Sequence, residues 1–252
     1  MHVRQSLPPR LHWYIEYVNP KSIVVIPTYN EAANISSLIS KLRTILPELH
    51  ILIVDDGSPD GTGSIVDKIS MADTHVRCLH RTTKDGIGKA YVAGFKSSIE
   101  RQFDYIAQMD ADHSHSPEDL VRLLEVATKH DLVIGSRYVR DGRTVNWPLI
   151  RKLVSRLGGL YASTVLSMKI NDPTGGFKVW NTKLLRKYDF AEIRGSGYVF
   201  QVEMTYRALG RKASVTEVPI TFTERVAGTS KMDTKIVLEA ATIVWKLRRS
   251  TL

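Results

Sequence analysis

The chain has 252 residues, 43% of them hydrophobic and 24% charged, a balance that excludes a disordered or fibrous protein and fits one large globular domain. Lysine and arginine outnumber aspartate and glutamate by 35 to 26, a formal charge of +9, so the expected partners are anions: nucleic acid, phosphorylated metabolites or a membrane surface. The one cysteine, Cys78, cannot close an internal disulfide, and the start Met1-His2-Val3-Arg4-Gln5 has no apolar signal core; a reducing, cytoplasmic setting is expected. The longest membrane-span candidate, 157–168, is bounded by Arg156 and Lys169 and falls short of the about 20 apolar residues that a crossing needs. A protein lying on a membrane stays open. No tandem repeat or linker divides the chain, so residues 1–20 are expected to form an N-terminal tail and 21–252 a single domain.

Short β-branched runs alternate with helical patterns through the first half, as in strand-helix-strand units around a mostly parallel sheet. Ser22-Ile23-Val24-Val25-Ile26-Pro27 predicts a buried first strand, and Ile35, Leu38, Ile39 and Leu42 predict a helix from about Glu31 to Leu46. His50 to Val54 is the next strand, ending at Asp55-Asp56-Gly57. A weaker strand at His75 to Leu79, a helix from Gly88 to Ile99 and a strand from Asp104 to Met109 follow, the last ending at Asp110-Ala111-Asp112. Ser116-Pro117-Glu118 offers an N-cap and first-turn proline for a helix through Ala127, and Leu132-Val133-Ile134-Gly135 closes the series. Beyond it lie a basic amphipathic stretch near 147–168, a glycine turn at Thr174-Gly175-Gly176, a helix near Val202 to Leu209, a strand near Ser214 to Ile220 and a last helix near 233–249.

Acidic and polar residues thus collect after strand ends, the edge at which open α/β sheets bind ligands. Asp110 and Asp112 can turn toward one point and offer hard oxygens suited to Mg²⁺ or Mn²⁺, although an isolated pair of this kind reads more readily as loop and helix-capping aspartates. His113 and His115 have no cysteine partner and no helical His pairing, so they are polar loop residues rather than zinc ligands. Pro27-Thr28-Tyr29-Asn30-Glu31 and the stretch from Val54 to Thr62 offer aromatic stacking and carboxylate acceptors for a base and ribose, yet each alone is an ordinary turn composition.

Specificity comes from order. Ile26-Pro27-Thr28-Tyr29-Asn30-Glu31, Val54-Asp55-Asp56-Gly57-Ser58-Pro59-Asp60-Gly61-Thr62, Gly86-Ile87-Gly88-Lys89-Ala90, Met109-Asp110-Ala111-Asp112 and Gly135-Ser136-Arg137-Tyr138 follow one another, then Asp172-Pro173-Thr174-Gly175-Gly176-Phe177, Gly197-Tyr198-Val199-Phe200-Gln201 and the run from Glu224 to Lys231. In this series the chain resembles the inverting family 2 glycosyltransferases of GT-A fold, α/β with a mostly parallel central sheet flanked by helices, and among them the dolichol-phosphate (polyprenol-phosphate) mannosyltransferases. The resemblance spans about Ser22 to Lys231. It implies transfer of mannose from GDP-mannose to a polyprenyl or dolichyl phosphate. By the same resemblance the nucleotide-sugar is held by Pro27, Tyr29, Glu31, Val54, Asp56, Lys84, Asp110, Ala111, Asp112, Arg225 and Lys231, and Mg²⁺ or Mn²⁺ by Asp110 and Asp112. Ser114 stands where some relatives carry Gln as a further ligand, which implies a weaker ligand there with a water in place of the amide.

Arg137, Arg151 and Ser155 lie at positions that in similar enzymes bind the lipid phosphate, a task suited to the planar arginine fork; Asp110, Asp112 and Arg137 are the expected catalytic residues. A phosphate monoester with a second pKa of about 6 is largely dianionic at neutral pH, so no dedicated base is needed, and a single displacement inverts the anomeric carbon. Arg225, Ser230 and Lys231, with Gly228 as a hinge, resemble a loop that closes over the diphosphate. Trp147 to Leu157 mixes Trp and Leu with three cations, as an interfacial helix does. The expected setting is therefore peripheral, on the cytosolic face of a membrane, with a small membrane-anchoring protein as a further partner.

Two other classes fit poorly. Nucleic-acid binding is not expected: Lys and Arg are scattered, and the strand ends are acidic where a phosphate backbone would be repelled. A dehydrogenase needs Gly-x-Gly-x-x-Gly, and Gly86-Ile87-Gly88-Lys89-Ala90-Tyr91 fails at its last position. The rival within the enzyme class is a UDP-glucose-dependent polyprenyl-phosphate glucosyltransferase with nearly the same motifs.

Overall fold

A computed structural model describes residues 21–195, 197–224 and 234–249. The expected tail at 1–20 and the expected donor-loop residues Arg225, Gly228, Ser230 and Lys231 lie outside them. Strand β1 (Ser22–Thr28) leads through helix α1 (Ala32–Ile45) to β2 (His50–Asp55), α2 (Thr62–Ala72) and β3 (Val76–His80). Helix α3 (Ile87–Glu100), β4 (Tyr105–Gln108), α4 (Pro117–Ala127) and β5 (Leu132–Ser136) complete the alternating half. Then come β6 (Arg143–Val145), α5 (Leu149–Val165), β7 (Lys178–Asn181), the single turn α6 (Thr182–Leu185), α7 (Gly197–Gly210), β8 (Val215–Pro219), β9 (Thr221–Thr223) and α8 (Thr234–Arg249).

Seven strands form one sheet in the order β3-β2-β1-β4-β7-β5-β8, and β6 pairs with β9 beside it. Every neighbour in the large sheet is parallel except β7, which runs antiparallel to both β4 and β5. Side chains alternate across the pleat, so each strand feeds two cores. Val24, Ile26, Ile51 and Ile53 pack under α1 and α4 through Leu38, Leu42, Leu120 and Leu124. Ile23, Val25, Leu52 and Ile134 pack on the other face under α3 and α7 through Tyr91, Phe95, Phe200 and Met204. Burial on both faces explains why the strands read as unbroken apolar runs rather than alternating ones.

The expected elements of the first half are present. Helix α4 starts where its capping signal lies, Ser116 accepting from the Glu118 amide at 3.3 Å with Pro117 in the first turn. Besides the short β6, α6 and β9, where no element was expected, three features differ from expectation. Residues 62–72 form α2, although no element was expected there. Helix α7 starts at Gly197 rather than near Val202. Strand β7, a Lys-Val-Trp-Asn segment, has too few apolar residues to show as a strand, yet it occupies the middle of the sheet.

Candidate active site

The carboxyl ends of β1, β2, β4 and β5 open on a cavity of about 340 Å³. Two loops on its donor side are stitched by their own polar residues. Asp55 accepts from the Thr28 hydroxyl at 3.0 Å and from the Ser58 hydroxyl and amide at 2.5 and 3.0 Å. Asp60 accepts from the Ala32 amide at 3.0 Å and so ties the start of α1 to the loop before α2. The adjacent aspartates therefore divide their work, Asp55 clamping the loops while Asp56 lines the cavity. Burial raises the Asp56 pKa, against the pull of Arg81, whose guanidinium donates to it at 2.6 Å. Pro27, Tyr29, Glu31 and Lys84 line the same end, with the Lys84 ammonium 3.5 Å from the centre of the Tyr29 ring.

Asp110, Ala111 and Asp112 line the middle. Asp112 accepts from the Ser114 amide at 3.1 Å and hydroxyl at 2.5 Å, so Ser114 is buried and engaged with the neighbouring carboxylate. Asp110 accepts weakly from the Tyr91 hydroxyl at 3.4 Å, and its amide donates to His115 Nδ1 at 3.1 Å. That bond leaves the neutral ring's proton on Nε2. Burial keeps His115 below its ordinary pKa despite the nearby charges of Asp110 and Asp112. The donor set offered to an ion by Asp110 and Asp112 is all carboxylate oxygen, the chemistry that suits a hard divalent cation. A separate trio, Asp67, Cys78 and His80, has potential ligand atoms within 4.8 Å of one another but does not line the cavity.

Arg137, at the end of β5, is buried in a two-pronged clamp: Nε and Nη2 donate to Asp172 at 2.7 and 2.6 Å, and Nη2 also to the Thr174 hydroxyl at 3.0 Å. Burial opposes its charge, but Asp172 more than compensates and raises its pKa; in return Arg137 overcomes the burial of Asp172 and holds that carboxyl below the usual range. Trp147, Arg151 and Phe222 form the rim beside it, with the Arg151 guanidinium 4.3 Å from the Trp147 ring and paired with Glu224.

Most of the expected site residues thus meet in one cavity, and three of those described do not line it: Ser114, buried against Asp112, Val54 and Ser155. The Val54 side chain is fully buried in the core beneath α3, because the strand's alternation points it through the sheet. Ser155 accepts from the Tyr138 hydroxyl at 2.8 Å and does not line the cavity. Lining residues to which no role was assigned include Thr174, Gly175, Gly176, Tyr198 and Gln201. Their motifs stand out in the sequence, but nothing local shows that a loop before β7 and the start of α7 converge on the end of β4.

The Glycosyl transferase family 2 model matches residues 23–189. An undecaprenyl-phosphate mannosyltransferase of Micrococcus luteus is 48% identical over 86% of this chain and 90% of its own length. A polyprenol monophosphomannose synthase of Mycolicibacterium smegmatis is 44% identical over 87% and 84%, and a dolichol-phosphate mannosyltransferase of Pyrococcus furiosus 35% identical over 91% and 64%. Among solved structures, glucosyl-3-phosphoglycerate synthase from Mycobacterium tuberculosis bound to Mn²⁺, uridine diphosphate and glucosyl-3-phosphoglycerate superposes with a TM-score of 0.67, 16% identity and coverage of 95% and 82%. That likeness is one of fold, the GT-A arrangement of a mostly parallel sheet flanked by helices.

Proposed function

Because this chain belongs to glycosyl transferase family 2, we propose that its cavity transfers mannose from GDP-mannose to a polyprenyl, dolichyl-type monophosphate with inversion. The observation that carries this reading is the order of charge along the strand ends that line the cavity, from Asp56 after β2 through Asp110 and Asp112 after β4 to Arg137 after β5 and Arg151 on α5. A nucleotide-sugar with its cation suits the first end, a phosphate monoester the second. The names of the three relatives support a prenyl phosphate acceptor and mannose as the sugar.

Tyr29 and Lys84 would flank the nucleotide, with Glu31 and Asp56 accepting from base or ribose. Asp110 and Asp112 would hold Mg²⁺ or Mn²⁺, which when bound neutralises the diphosphate and eases its departure. Arg151 and the part of Arg137 outside the Asp172 clamp would orient one acceptor oxygen in line with the anomeric carbon. The dianionic acceptor needs no proton removed from it, in keeping with a neutral, buried His115 whose Nδ1 already accepts from a backbone amide.

The acceptor's lipid tail calls for a membrane surface, and α5 supports one. Leu149 and Ile150 are 83% and 78% exposed, and Leu153, Leu157 and Leu160 continue the stripe along an outer face that also carries Lys152 and Arg156. No helix among the described residues is long and apolar enough to cross a membrane. The chain would thus act peripherally, on the cytosolic face, by its own helix or with an anchoring partner.

The deciding experiment offers GDP-mannose, UDP-glucose and UDP-GlcNAc with undecaprenyl or dolichyl phosphate and either metal. Mannosyl lipid formed from GDP-mannose alone is expected; transfer from UDP-glucose alone would sink the mannosyl assignment and leave the fold intact. Chelation or Asp112→Ala should abolish transfer, and turnover near wild type for the variant would remove the metal site from this account.

A further inference from the structure

A line of buried polar side chains runs beneath the cavity and ends in it. Trp180 on β7 donates from its indole to Gln108 Oε1 at 2.6 Å, and Gln108 Nε2 faces Gln201 Oε1 at 3.5 Å. The same Gln201 oxygen accepts from Lys178 Nζ at 3.1 Å, while Nζ also reaches the Gln201 carbonyl at 2.9 Å and Thr205 Oγ1 at 3.0 Å. Trp180, Gln108, Lys178 and Gln201 are all buried. An indole can only donate, so the Gln108 amide must present its nitrogen to Gln201, and the Gln201 amide must spend its oxygen inward. Burial lowers the Lys178 pKa to about 7, yet the direction survives loss of its proton, because a neutral amine keeps two donors for the two Gln201 oxygens and can accept from the Thr205 hydroxyl once that turns from the Gln201 carbonyl, to which it donates at 3.0 Å. Gln201 therefore turns a fixed N–H donor toward the cavity.

The space before it is also defined. A Cβ built on Gly176 would lie 3.6 Å from Gln201 Nε2 and 3.8 Å from an Asp110 oxygen. Gly176 sits in the short run 174–176, whose first residue accepts from Arg137. This run bridges the carboxylates of the donor end and the arginine of the acceptor end, which is where the transferring ring must lie if the proposed function holds. A neutral donor suits a hydroxyl there; a diphosphate oxygen would be better served by a cation.

We propose that Gln201 is a sugar-contacting residue, its Nε2 donating to one hydroxyl of the transferring hexose over the bare floor of Gly176, with Lys178, Gln108 and Trp180 as positioning residues. This deepens the mannosyltransferase reading and rests on it.

The test uses the full chain with GDP-mannose, its monodeoxy analogues, a polyprenyl phosphate and calorimetric binding of GDP. Gln201→Leu is expected to lower kcat/KM by about tenfold, the size of one lost hydrogen bond, with the GDP Kd moving less than about twofold. Wild type should be slowed about tenfold by removal of one particular hydroxyl, and Gln201→Leu should be indifferent to that removal. Gln201→Glu, which keeps a partner for Lys178 but presents an acceptor to the sugar, and Gly176→Ala, which sets a methyl in the contact space, should both depress transfer without loosening GDP. Unchanged discrimination among the deoxy donors in a folded Gln201 variant overturns the proposal, as does loss of GDP affinity in step with kcat/KM. If wild type ignores GDP-mannose, the functional reading has failed, and the deoxy series of whichever donor is accepted then tests Gln201.

Discussion

Arg137 and Asp172 are the most consequential ion pair of the site, and they also reveal what a sequence hides. The arginine after β5 is legible as an anion-binding candidate; its buried counter-charge, 35 residues on, is not, because the contact exists only once the loop before β7 has folded back. Removing one partner of a buried pair leaves an uncompensated charge, so Asp172→Asn should cost about 3–5 kcal/mol, read from urea denaturation at pH 7. The pH dependence has a defined sign. The Asp172 pKa is held below its ordinary value, so its contribution is fully present above about pH 4, the unfolded value, and is lost as pH falls through the lower folded one. Asp172→Asn should lack that acid loss.

His50 has the opposite character. Burial, followed by the charges of His75, Arg101, Lys21 and Arg43, lowers its pKa to about 4 from 6.5, while its ring packs on His75 and Phe103 at 4.7 and 5.0 Å. Between those values the unfolded chain binds the extra proton, so stability should rise from pH 4 to 6.5 and His50 should add no further slope above that. His50→Gln should flatten this segment of a plot of urea midpoint against pH; an unchanged slope would assign it to other groups. Neither effect can be seen locally, since a histidine opening a strand looks the same whether it is wet or packed against an aromatic ring.

At the scale of elements, α3 lies so close to the sheet that a Cβ on Gly94 would come within 2.3 Å of Val25 Cγ1. Valine has no flexible end to move aside, so Gly94→Val should destabilise by about 1–3 kcal/mol through overpacking, with a Tm several degrees lower in calorimetry. The first half was legible because apolar strands, helical spacing and the Ser116-Pro117 cap agree about where each element begins. β7 was not, since its Lys178 and Asn181 contradict the usual pattern of a central strand. Its charged residue is tolerated because Gln201 and Thr205 satisfy the ammonium inside the protein. The carboxylates at the ends of β2 and β4 could be read from the chain, whereas which of Val54, Asp55 and Asp56 lines the cavity depends on the direction of each side chain at the strand end.

Across the whole molecule, the net charge of +9 and the apolar stripe of α5 make a joint prediction. The protein should co-sediment with liposomes containing anionic lipid, and more weakly as salt rises, since screening shortens the reach of lysine and arginine to about a Debye length of 10 Å at 0.1 M. Leu153→Asp with Leu157→Asp should weaken sedimentation while leaving GDP affinity unchanged. Sedimentation unaffected by both salt and the double variant would remove α5 from the membrane contact.

The reversed strand at the centre of the sheet has one more consequence. By separating β4 from β5 it sets the ends of those strands, after which the aspartates and Arg137 follow, two inter-strand steps apart, about 10 Å, and the backbone ladder makes that interval rigid. Under the mannosyl-transfer reading, a sugar ring would lie across this interval between the cation and the acceptor phosphate. The product of that transfer is a phosphodiester, which keeps no monoester oxygen to attack a second donor, and a sugar hydroxyl in its place would need a base; mass spectrometry of the lipid product should therefore find a single hexose however long the reaction runs.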